Sequence, residues 1–154
     1  MHNKIRIGTI IFAAIGLLDS IYLTWSKLAQ RAVFCGGSNQ CETVNSSVYS
    51  EIWGIPIAVL GVGSYLLILV LLILESRGGI WRGSGPLVVF GLSLVGVIYS
   101  IYLTYIEIAV LKAICPYCVV SAIVVTGIFI LTLVRVVDVQ TDVDPIRSRG
   151  VKNA

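Results

Sequence analysis

The stretch AICPYCVVSAIVVTGIFILTLV, residues 113–134, decides the fold of this chain. It contains no Asp, Glu, Lys or Arg, and it is long enough to cross the hydrocarbon of a bilayer, which takes about 20 apolar residues in a helix. Because the bilayer interior offers no water to the backbone, such a segment must satisfy its own hydrogen bonds as a helix. We therefore predict a transmembrane helix that opens on a Cys-Pro-Tyr-Cys sequence.

Three further stretches have the same character. Residues 52–74 and 83–106 also lack charged side chains, and residues 7–26 are interrupted by Asp19. Over the whole chain 57% of the residues are hydrophobic and 12% are charged, whereas soluble domains have roughly a quarter of their residues charged. The first stretch follows two basic residues, as a signal peptide does, but it is longer than a signal core and part of it recurs in the third stretch. We therefore retain it as a helix.

These stretches predict an all-α integral membrane protein, a four-helix bundle. The membrane domain is expected over residues 1–137, with spans of about 7–26, 55–74, 86–106 and 116–135. A polar cytoplasmic tail follows over residues 138–154, and its polar residues, with Pro145 and Gly150, predict disorder.

The basic residues are distributed unequally between the two sides of the predicted bundle. Three lie on the side of the 27–54 loop, and eight of the eleven lie on the other side: Lys4, Arg6, Arg77, Arg82, Arg135, Arg147, Arg149 and Lys152. Cytoplasmic loops of membrane proteins are enriched in Lys and Arg. We therefore predict a multi-pass protein of the cell membrane with both termini in the cytoplasm. The formal charge of +3 is accounted for by this arrangement, and no nucleic acid partner is expected.

The two halves of the chain resemble each other at an offset of 80 residues. The sequence SIYLT occurs at residues 20–24 and again at 100–104. Two further pairs hold the same register: Gly16 with Gly96, and Cys35 with Cys115. This repeat predicts two parallel helical hairpins, although a pentapeptide of common membrane residues can also match by chance.

The loop between the first two spans has a composition of its own. Residues 34–41 read FCGGSNQC, which is typical of a mobile turn. Residues 42–53 mix apolar side chains with serines and predict a short helix on the membrane surface. Pro56 is then expected near the first turn of the second span, where its missing N–H costs nothing.

All four cysteines fall on the outward, extracytoplasmic side in this topology. Cys115 is expected near the N-cap of the fourth span and Cys118 in its first turn, where the helix dipole favours a thiolate. Four cysteines allow three pairings, and the sequence does not choose among them. Redox exchange is the favoured interpretation. Structural zinc, two structural disulfides and unrelated buried cysteines are the alternatives, although the C-x5-C spacing of the loop pair suits zinc poorly.

Five features together resemble a known family. They are Cys35 and Cys41 in the loop, Ser47 six positions later, the sequence WGIP at 53–56, and a CxxC that opens the last helix. This pattern is similar to that of bacterial and archaeal homologues of the vitamin K epoxide reductase family, and it covers about residues 10–135. The resemblance implies a four-helix bundle around a membrane quinone of the menaquinone, ubiquinone or vitamin K type.

The resemblance also implies a role for each cysteine. Cys35 would face a separate thioredoxin-like carrier protein, Cys41 would attack Cys115, and Cys118 would be the thiol next to the quinone. Ser47 would support the loop helix. The implied function is that of a membrane thiol:quinone oxidoreductase that reoxidises the carrier and supports disulfide formation in exported proteins. A relay in the reducing direction, or a structural four-span protein with stapled loops, are the alternatives.

The quinone contacts are less closely defined by this pattern. Ala122 stands where the animal enzymes have a quinone-bonding Tyr, and Ser50 stands roughly where they have an Asn. Asp19 lies within its span and is a candidate for a proton route to the quinone, because carboxyl groups inside membranes are often functional; the alternative is a structural Asp. Trp53 and Tyr102 are candidate ring contacts. Tyr102 belongs to a group near the outer interface, where aromatic rings also settle without a ligand: Tyr22, Trp25, Tyr102 and Tyr105.

Overall fold

The computed structural model of the chain describes residues 2–36, 39–76 and 81–152, with side chains over 4–36, 39–75 and 85–138. Its elements follow in chain order: α1 (His2–Leu28), α2 (Gln40–Asn45), a 3-10 helix (Val48–Ser50), β1 (Glu51–Ile52), β2 (Ile55–Pro56), α3 (Ile57–Ser76), α4 (Trp81–Tyr105), a π-helix (Ile106–Leu111) and α5 (Pro116–Lys152).

Four helical segments within the described residues are long and apolar enough to cross a membrane. They are Lys4–Leu28, Ile57–Glu75, Gly85–Leu111 and Pro116–Asp138. This confirms the prediction of an all-α membrane four-helix bundle. Helix α1 packs against α3 and α5, and α4 packs against α5 and α3. The buried centre of the bundle takes side chains from all four helices, among them Ala13, Tyr65, Val89 and Ile128.

Glycines allow the long helices to approach each other closely. A Cβ at Gly16 of α1 would collide with the ring of Tyr65 in α3, and a Cβ at Gly96 of α4 would collide with Val125 in α5. Small residues at helix contacts are a common basis of packing in membranes, where the lipid is as apolar as the side chains. The two glycines that match at the 80-residue offset therefore both lie where one long helix meets the next.

The repeated SIYLT segments also share a local hydrogen bond. The hydroxyl of Thr24 donates to the carbonyl of Ser20, and that of Thr104 donates to the carbonyl of Ser100, each at 2.8 Å. A threonine that bonds to the preceding turn leaves no unpaired hydroxyl in the apolar environment. In both segments the threonine hydroxyl is therefore paired within its own helix.

Several boundaries differ from the predicted ones. The second long helix begins at Ile57 and not at 55, because Trp53 and Gly54 form a two-residue turn with φ values of 53° and 80°. This turn joins β1 to β2, and two consecutive positive φ values are typical of a type I′ hairpin. Pro56 ends β2 and so lies immediately before the helix. The predicted single surface helix over 42–53 is replaced by α2, the 3-10 helix and this hairpin.

The helices that contain the last two spans also extend beyond the predicted ends. The third span continues beyond 106 as the π-helix to Leu111. Helix α5 continues to Lys152, although the sequence predicts a disordered tail after residue 137. Once a helix is nucleated, each further residue adds a hydrogen bond at little cost, so polar residues can extend a helix that apolar residues began.

A buried ion pair joins α3 to α5 at the end of the bundle opposite the loop. The Arg135 guanidinium donates two hydrogen bonds to the Glu75 carboxylate, one of them from Nη1 to Oε2 at 2.9 Å. The two side chains are only 10% and 7% exposed. A bidentate pair of this kind holds both charges in fixed geometry, and loss of either partner would leave the other charge buried alone.

We expect the Arg135→Ala substitution to lower the free energy of unfolding by about 3–5 kcal/mol, because it leaves the Glu75 carboxylate buried without its partner. The measurement is thermal or denaturant unfolding of the purified protein in detergent. The double variant Glu75→Leu/Arg135→Met removes both charges and should recover most of the loss. An Arg135→Ala protein as stable as the parent would contradict this account.

Candidate active site

The loop cysteines form a disulfide whose two ends lie in different environments. Cys35 and Cys41 are bonded, with their Cα atoms 6.0 Å apart. Cys41 lies in the first turn of α2 and is fully buried, together with Val44 one turn later. Residues three apart share a helix face, so α2 presents this face to the protein. Cys35 lies in the extended segment before α2 and is partly exposed.

The second cysteine pair lies where α5 begins. The carbonyl of Cys115 accepts the first hydrogen bond of the helix, from the N–H of Val119 at 3.1 Å, so Cys115 is the N-cap residue as the sequence predicts. Pro116 occupies the first helical position, where its missing N–H costs no hydrogen bond. Cys115 is 1% exposed and Cys118 is partly exposed, and both are free thiols.

The fold brings the two pairs together in one small apolar cluster. Its buried members come from the loop and from the connection between the π-helix and α5: Val33, Cys41, Val44, Ala113 and Cys115. Cys35, Cys118 and Tyr117 pack against this cluster from its edge. The inner cysteine of each pair is therefore shielded from solvent within the same cluster, while Cys35 and Cys118 lie at the periphery.

The surroundings of Cys115 favour its thiolate. A hydrogen bond from the Cys118 thiol lowers the pKa of Cys115, and the backbone N–H groups of Cys118 and Tyr117 lower it further. Burial and the Glu107 carboxylate act in the opposite direction, but the net result is a pKa below the ordinary value. Such groups at a helix N-terminus are the usual origin of a reactive cysteine.

A large cavity extends from the cysteines into the bundle. Its volume is about 450 Å³, and its walls are formed by α1, α3, α4, α5 and the loop. Most of the lining side chains are apolar, and Cys115 and Cys118 both reach it. The volume lies within the range of about 300–1,000 Å³ that small-molecule sites occupy.

The other predicted site residues separate into two groups. Ser47 and Asp19 line the cavity. Ser47 donates a hydrogen bond to the carbonyl of Val44 at 2.7 Å, and its own carbonyl accepts one from the N–H of Ser50 at 3.0 Å, so it joins α2 to the 3-10 helix. One carboxylate oxygen of Asp19 is buried, and within the described part of the chain it has no hydrogen-bond partner.

Trp53 and Tyr102 do not line the cavity. Trp53 is 99% exposed because it lies in the hairpin turn. Tyr102 is 47% exposed. It lies outside the helix face that lines the cavity. The residues of that face follow each other at a spacing of three or four: Gly96, Tyr99, Ser100, Leu103 and Glu107. The Tyr102 ring packs instead on Tyr99, with centroids 5.8 Å apart.

Sequence comparison identifies the family of the chain. The sequence pattern of the vitamin K epoxide reductase family matches residues 8–133. The chain belongs to the vitamin K epoxide reductase family. It is similar to the thiol-disulfide oxidoreductase LTO1 of Arabidopsis thaliana, with 31% identity over 123 residues that cover 76% of this chain and 33% of that protein. The chain therefore spans about a third of the length of this relative.

Lys27 is a cavity-lining residue that the sequence pattern did not identify. Its ammonium group donates to the carbonyl of Asn45 at 2.8 Å and to the Ser50 hydroxyl, and it pairs with Glu51 at 3.0 Å. These contacts fasten the loop to the last turn of α1. The signal available in the sequence was a basic residue at the end of the first span. Its charge indicated only that this end of the span faces outward, and it did not indicate that Lys27 binds the loop.

Glu107 is the second residue that sequence reasoning missed. It is 4% exposed in the π-helix, and its Oε2 accepts a hydrogen bond from the N–H of Cys115 at 3.3 Å. It also interacts electrostatically with the Cys118 thiol. The available signal was an acidic residue directly after an uncharged span and eight positions before the CxxC.

Two tyrosines hold the segment that carries Cys35. The Tyr117 hydroxyl donates to the carbonyl of Phe34 at 3.0 Å, and the Tyr22 hydroxyl accepts from the N–H of Phe34 at 3.2 Å. The two rings pack on each other, with centroids 5.1 Å apart. The residue next to Cys35 is thus fixed between α1 and α5.

We expect Tyr117→Phe to loosen this segment without unfolding the bundle. The substitution removes one hydrogen bond, which contributes about 0.5–1.5 kcal/mol, so local opening should become roughly two- to tenfold more frequent. Amide hydrogen exchange over residues 33–36 measures it. Tyr102→Phe, which keeps the Phe34 contacts intact, should leave that exchange unchanged. Equal exchange in Tyr117→Phe and the parent would show that the tyrosine does not hold the loop.

Proposed function

We propose that this protein is a membrane thiol:quinone oxidoreductase that reoxidises a thioredoxin-like carrier and reduces a membrane quinone. Such a relay supplies oxidising equivalents for disulfide formation in exported proteins. The observation that carries the proposal is the packing of Cys41 against the same buried cluster as Cys115, beside a cavity that Cys115 and Cys118 line. The name of the Arabidopsis relative supports thiol-disulfide chemistry.

The first exchange takes place between the carrier and the loop. A carrier thiolate attacks Cys35, the partly exposed end of the loop disulfide, and Cys41 leaves as a thiolate. The second carrier thiol then attacks the mixed disulfide and releases Cys35. The carrier becomes a disulfide, and the loop pair gains two electrons and two protons. Thiol exchange needs direct contact between sulfurs, and Cys35 is the loop sulfur that a folded carrier can approach.

The second exchange moves the electrons inward. The Cys41 thiolate attacks Cys115 of the oxidised CxxC, Cys118 leaves, and Cys35 then attacks Cys41 to restore the loop disulfide. Cys115 departs in this last step. Its lowered pKa makes it a good leaving group.

The third step oxidises the CxxC. Formation of the Cys115–Cys118 disulfide releases two electrons and two protons, which are the amounts that reduction of a quinone to a quinol takes up. The cavity suits a quinone in volume and in its predominantly apolar walls. Menaquinone, ubiquinone and vitamin K type quinones share the ring chemistry required, with an isoprenoid chain that can pass between the helices into the lipid.

The relay predicts different consequences for the two pairs. In Cys35→Ala, carrier-driven quinone reduction should fall at least about 100-fold, whereas reduction driven by a small dithiol should persist, because a small dithiol can reach the CxxC directly. Cys118→Ser should abolish both, since a hydroxyl cannot form the disulfide. Quinol absorbance with each donor measures the two rates.

Tyr102→Phe is the matched control, because Tyr102 lies outside the cavity, and both of its rates should equal those of the parent. Carrier-driven quinone reduction that persists in Cys118→Ser would remove Cys118 from the relay. Absence of quinol formation by the parent protein with any quinone and any donor would refute the proposed function itself.

We also propose that the cysteines lie on the extracytoplasmic side, as the distribution of basic residues suggests. In a chain whose four cysteines are replaced by serine, Val48→Cys in the loop should react with a membrane-impermeant maleimide in intact cells. Lys4→Cys, near the other end of α1, should react only after the membrane is permeabilised. The reverse pattern would invert the orientation.

A further inference from the structure

We propose that Glu107 is the proton acceptor of the CxxC: its carboxylate takes the proton that the Cys118 thiol loses when Cys118 forms a disulfide bond with Cys115. The proposal rests on thiol exchange at the CxxC, which is part of the function proposed above. It extends that function by assigning a catalytic residue that is not a cysteine.

The position of Glu107 results from an irregular helix end. The N–H of Ala113 bonds to the carbonyl of Glu107 at 3.1 Å, six residues earlier, and Lys112 ends the π-helix with a positive φ of 49°. The chain then turns back over the Glu107 side chain and continues into Cys115. Short π-helical segments of this kind are frequent at functional sites. A regular α-helical ending would carry the chain away from the carboxylate.

The contacts of Glu107 join it to both cysteines. Oε2 accepts the N–H of Cys115 at 3.3 Å, the carboxylate interacts electrostatically with the Cys118 thiol, and Glu107 and Cys118 line the same cavity. The same thiol also donates toward the Cys115 sulfur. Cys118 is thus positioned between the sulfur with which it forms the disulfide and an oxygen that can take its proton. A general base must lie close to the proton it removes, and Glu107 is bound to the backbone of the CxxC at Cys115.

Glu107 differs in its partners from the other buried glutamate. Glu75 is paired with Arg135, but among the side chains that the structure describes, no Lys or Arg lies within ion-pair distance of Glu107. Burial of a carboxylate without a cation is costly. A purely structural role does not explain why an acidic residue occupies this buried position. A role in which the carboxyl group alternately holds and releases a proton does explain it.

Other titratable groups around the cavity are less suitable. Asp19 and Lys27 on α1, Tyr65 on α3 and Tyr99 on α4 line it, and Tyr117 lies beside the CxxC on α5. Asp19 interacts with Tyr65 and Tyr117. Lys27 is engaged by the loop. Glu107 is the acidic side chain that is bound to the CxxC backbone and interacts electrostatically with the reacting sulfur.

The proposed step balances in protons and electrons. The S–H bond of Cys118 breaks as an O–H bond forms on Glu107, and the Cys118 sulfur forms the S–S bond with Cys115. Where Cys115 carries a mixed disulfide with a small thiol, that thiol leaves with the electron pair. In the proposed quinone reaction the two electrons pass to the quinone, and Glu107 returns its proton to a quinol oxygen in the same cavity.

The test uses a small disulfide, so that it does not depend on quinone activity. The protein with a reduced CxxC is mixed with hydroxyethyl disulfide, quenched with acid and mapped by mass spectrometry. The mixed disulfide at Cys115 forms first and is resolved by Cys118. In Glu107→Gln the amide oxygen can still accept the Cys115 N–H, but no base is present. Resolution should slow by about 100-fold, so the mixed disulfide should accumulate.

Two further readouts separate proton transfer from a structural role. The Glu107 carboxylate raises the pKa of Cys115, so Glu107→Gln should move the appearance of the Cys115 thiolate, followed by ultraviolet absorbance, to lower pH. In the variant, Cys115 should therefore ionise at lower pH, and yet Cys118 should resolve the mixed disulfide more slowly. Its resolution rate should recover as the pH rises, since hydroxide can then remove the Cys118 proton, and Glu107→Asp should be intermediate.

Glu51→Gln is the matched control, because it removes a carboxylate on the same side of the protein that touches neither CxxC sulfur. Its resolution rate should equal that of the parent. Resolution by Glu107→Gln at the parent rate across the pH range would overturn the assignment of Glu107. A parent protein that resolves the mixed disulfide through Glu107 but reduces no quinone would leave this inference standing and refute the thiol:quinone function.

Discussion

A bilayer interior has no water with which a backbone can form hydrogen bonds, and the rest of this structure depends on that constraint. Four long helices satisfy their own backbone groups across the apolar region. The non-helical segments, including the hairpin turn and the connection into α5, lie between the apolar spans and not within them. Both cysteine pairs belong to such segments or to helix ends, where local irregularity is tolerated. The thiols therefore lie beside a cavity that opens toward the apolar part of the bundle.

The two buried glutamates show how the same side chain can serve opposite purposes in this bundle. Glu75 is held by the Arg135 guanidinium, so both charges are compensated and the contact fastens α3 to α5. Glu107 faces sulfur and the backbone N–H of Cys115 instead. A carboxylate with a fixed cation is poorly able to exchange a proton, whereas one that faces a thiol can do so. The difference in partner, and not in residue type, separates a structural contact from the catalytic role proposed for Glu107.

The loop is tied to the bundle more firmly than its glycines and small polar residues suggest. Lys27 hydrogen-bonds the 3-10 helix of the loop, and two tyrosines hold Phe34. The Cys35–Cys41 disulfide closes the segment. Gly36 has a positive φ of 61°, as expected for a turn, while Gly37 and Ser38 of the predicted mobile turn lie outside the described residues. This attachment keeps Cys41 against the cluster of Cys115 and leaves Cys35 accessible. A relay needs both properties, since one sulfur must meet an external protein and the other an internal thiol.

The sequence by itself determined the four spans, the N-cap position of Cys115 and the family, because apolar length, proline position and cysteine spacing are local properties of the chain. It could not locate the hairpin turn at Trp53 and Gly54, since a hydropathy pattern carries no backbone dihedral angle. Only the tertiary structure decided that Cys41 and Cys115 belong to one buried cluster, that Trp53 and Tyr102 lie away from the cavity, and that Glu107 faces the CxxC. These contacts join elements distant in sequence or depend on an irregular helix end. Their geometry follows from how the helices pack, which no single segment encodes.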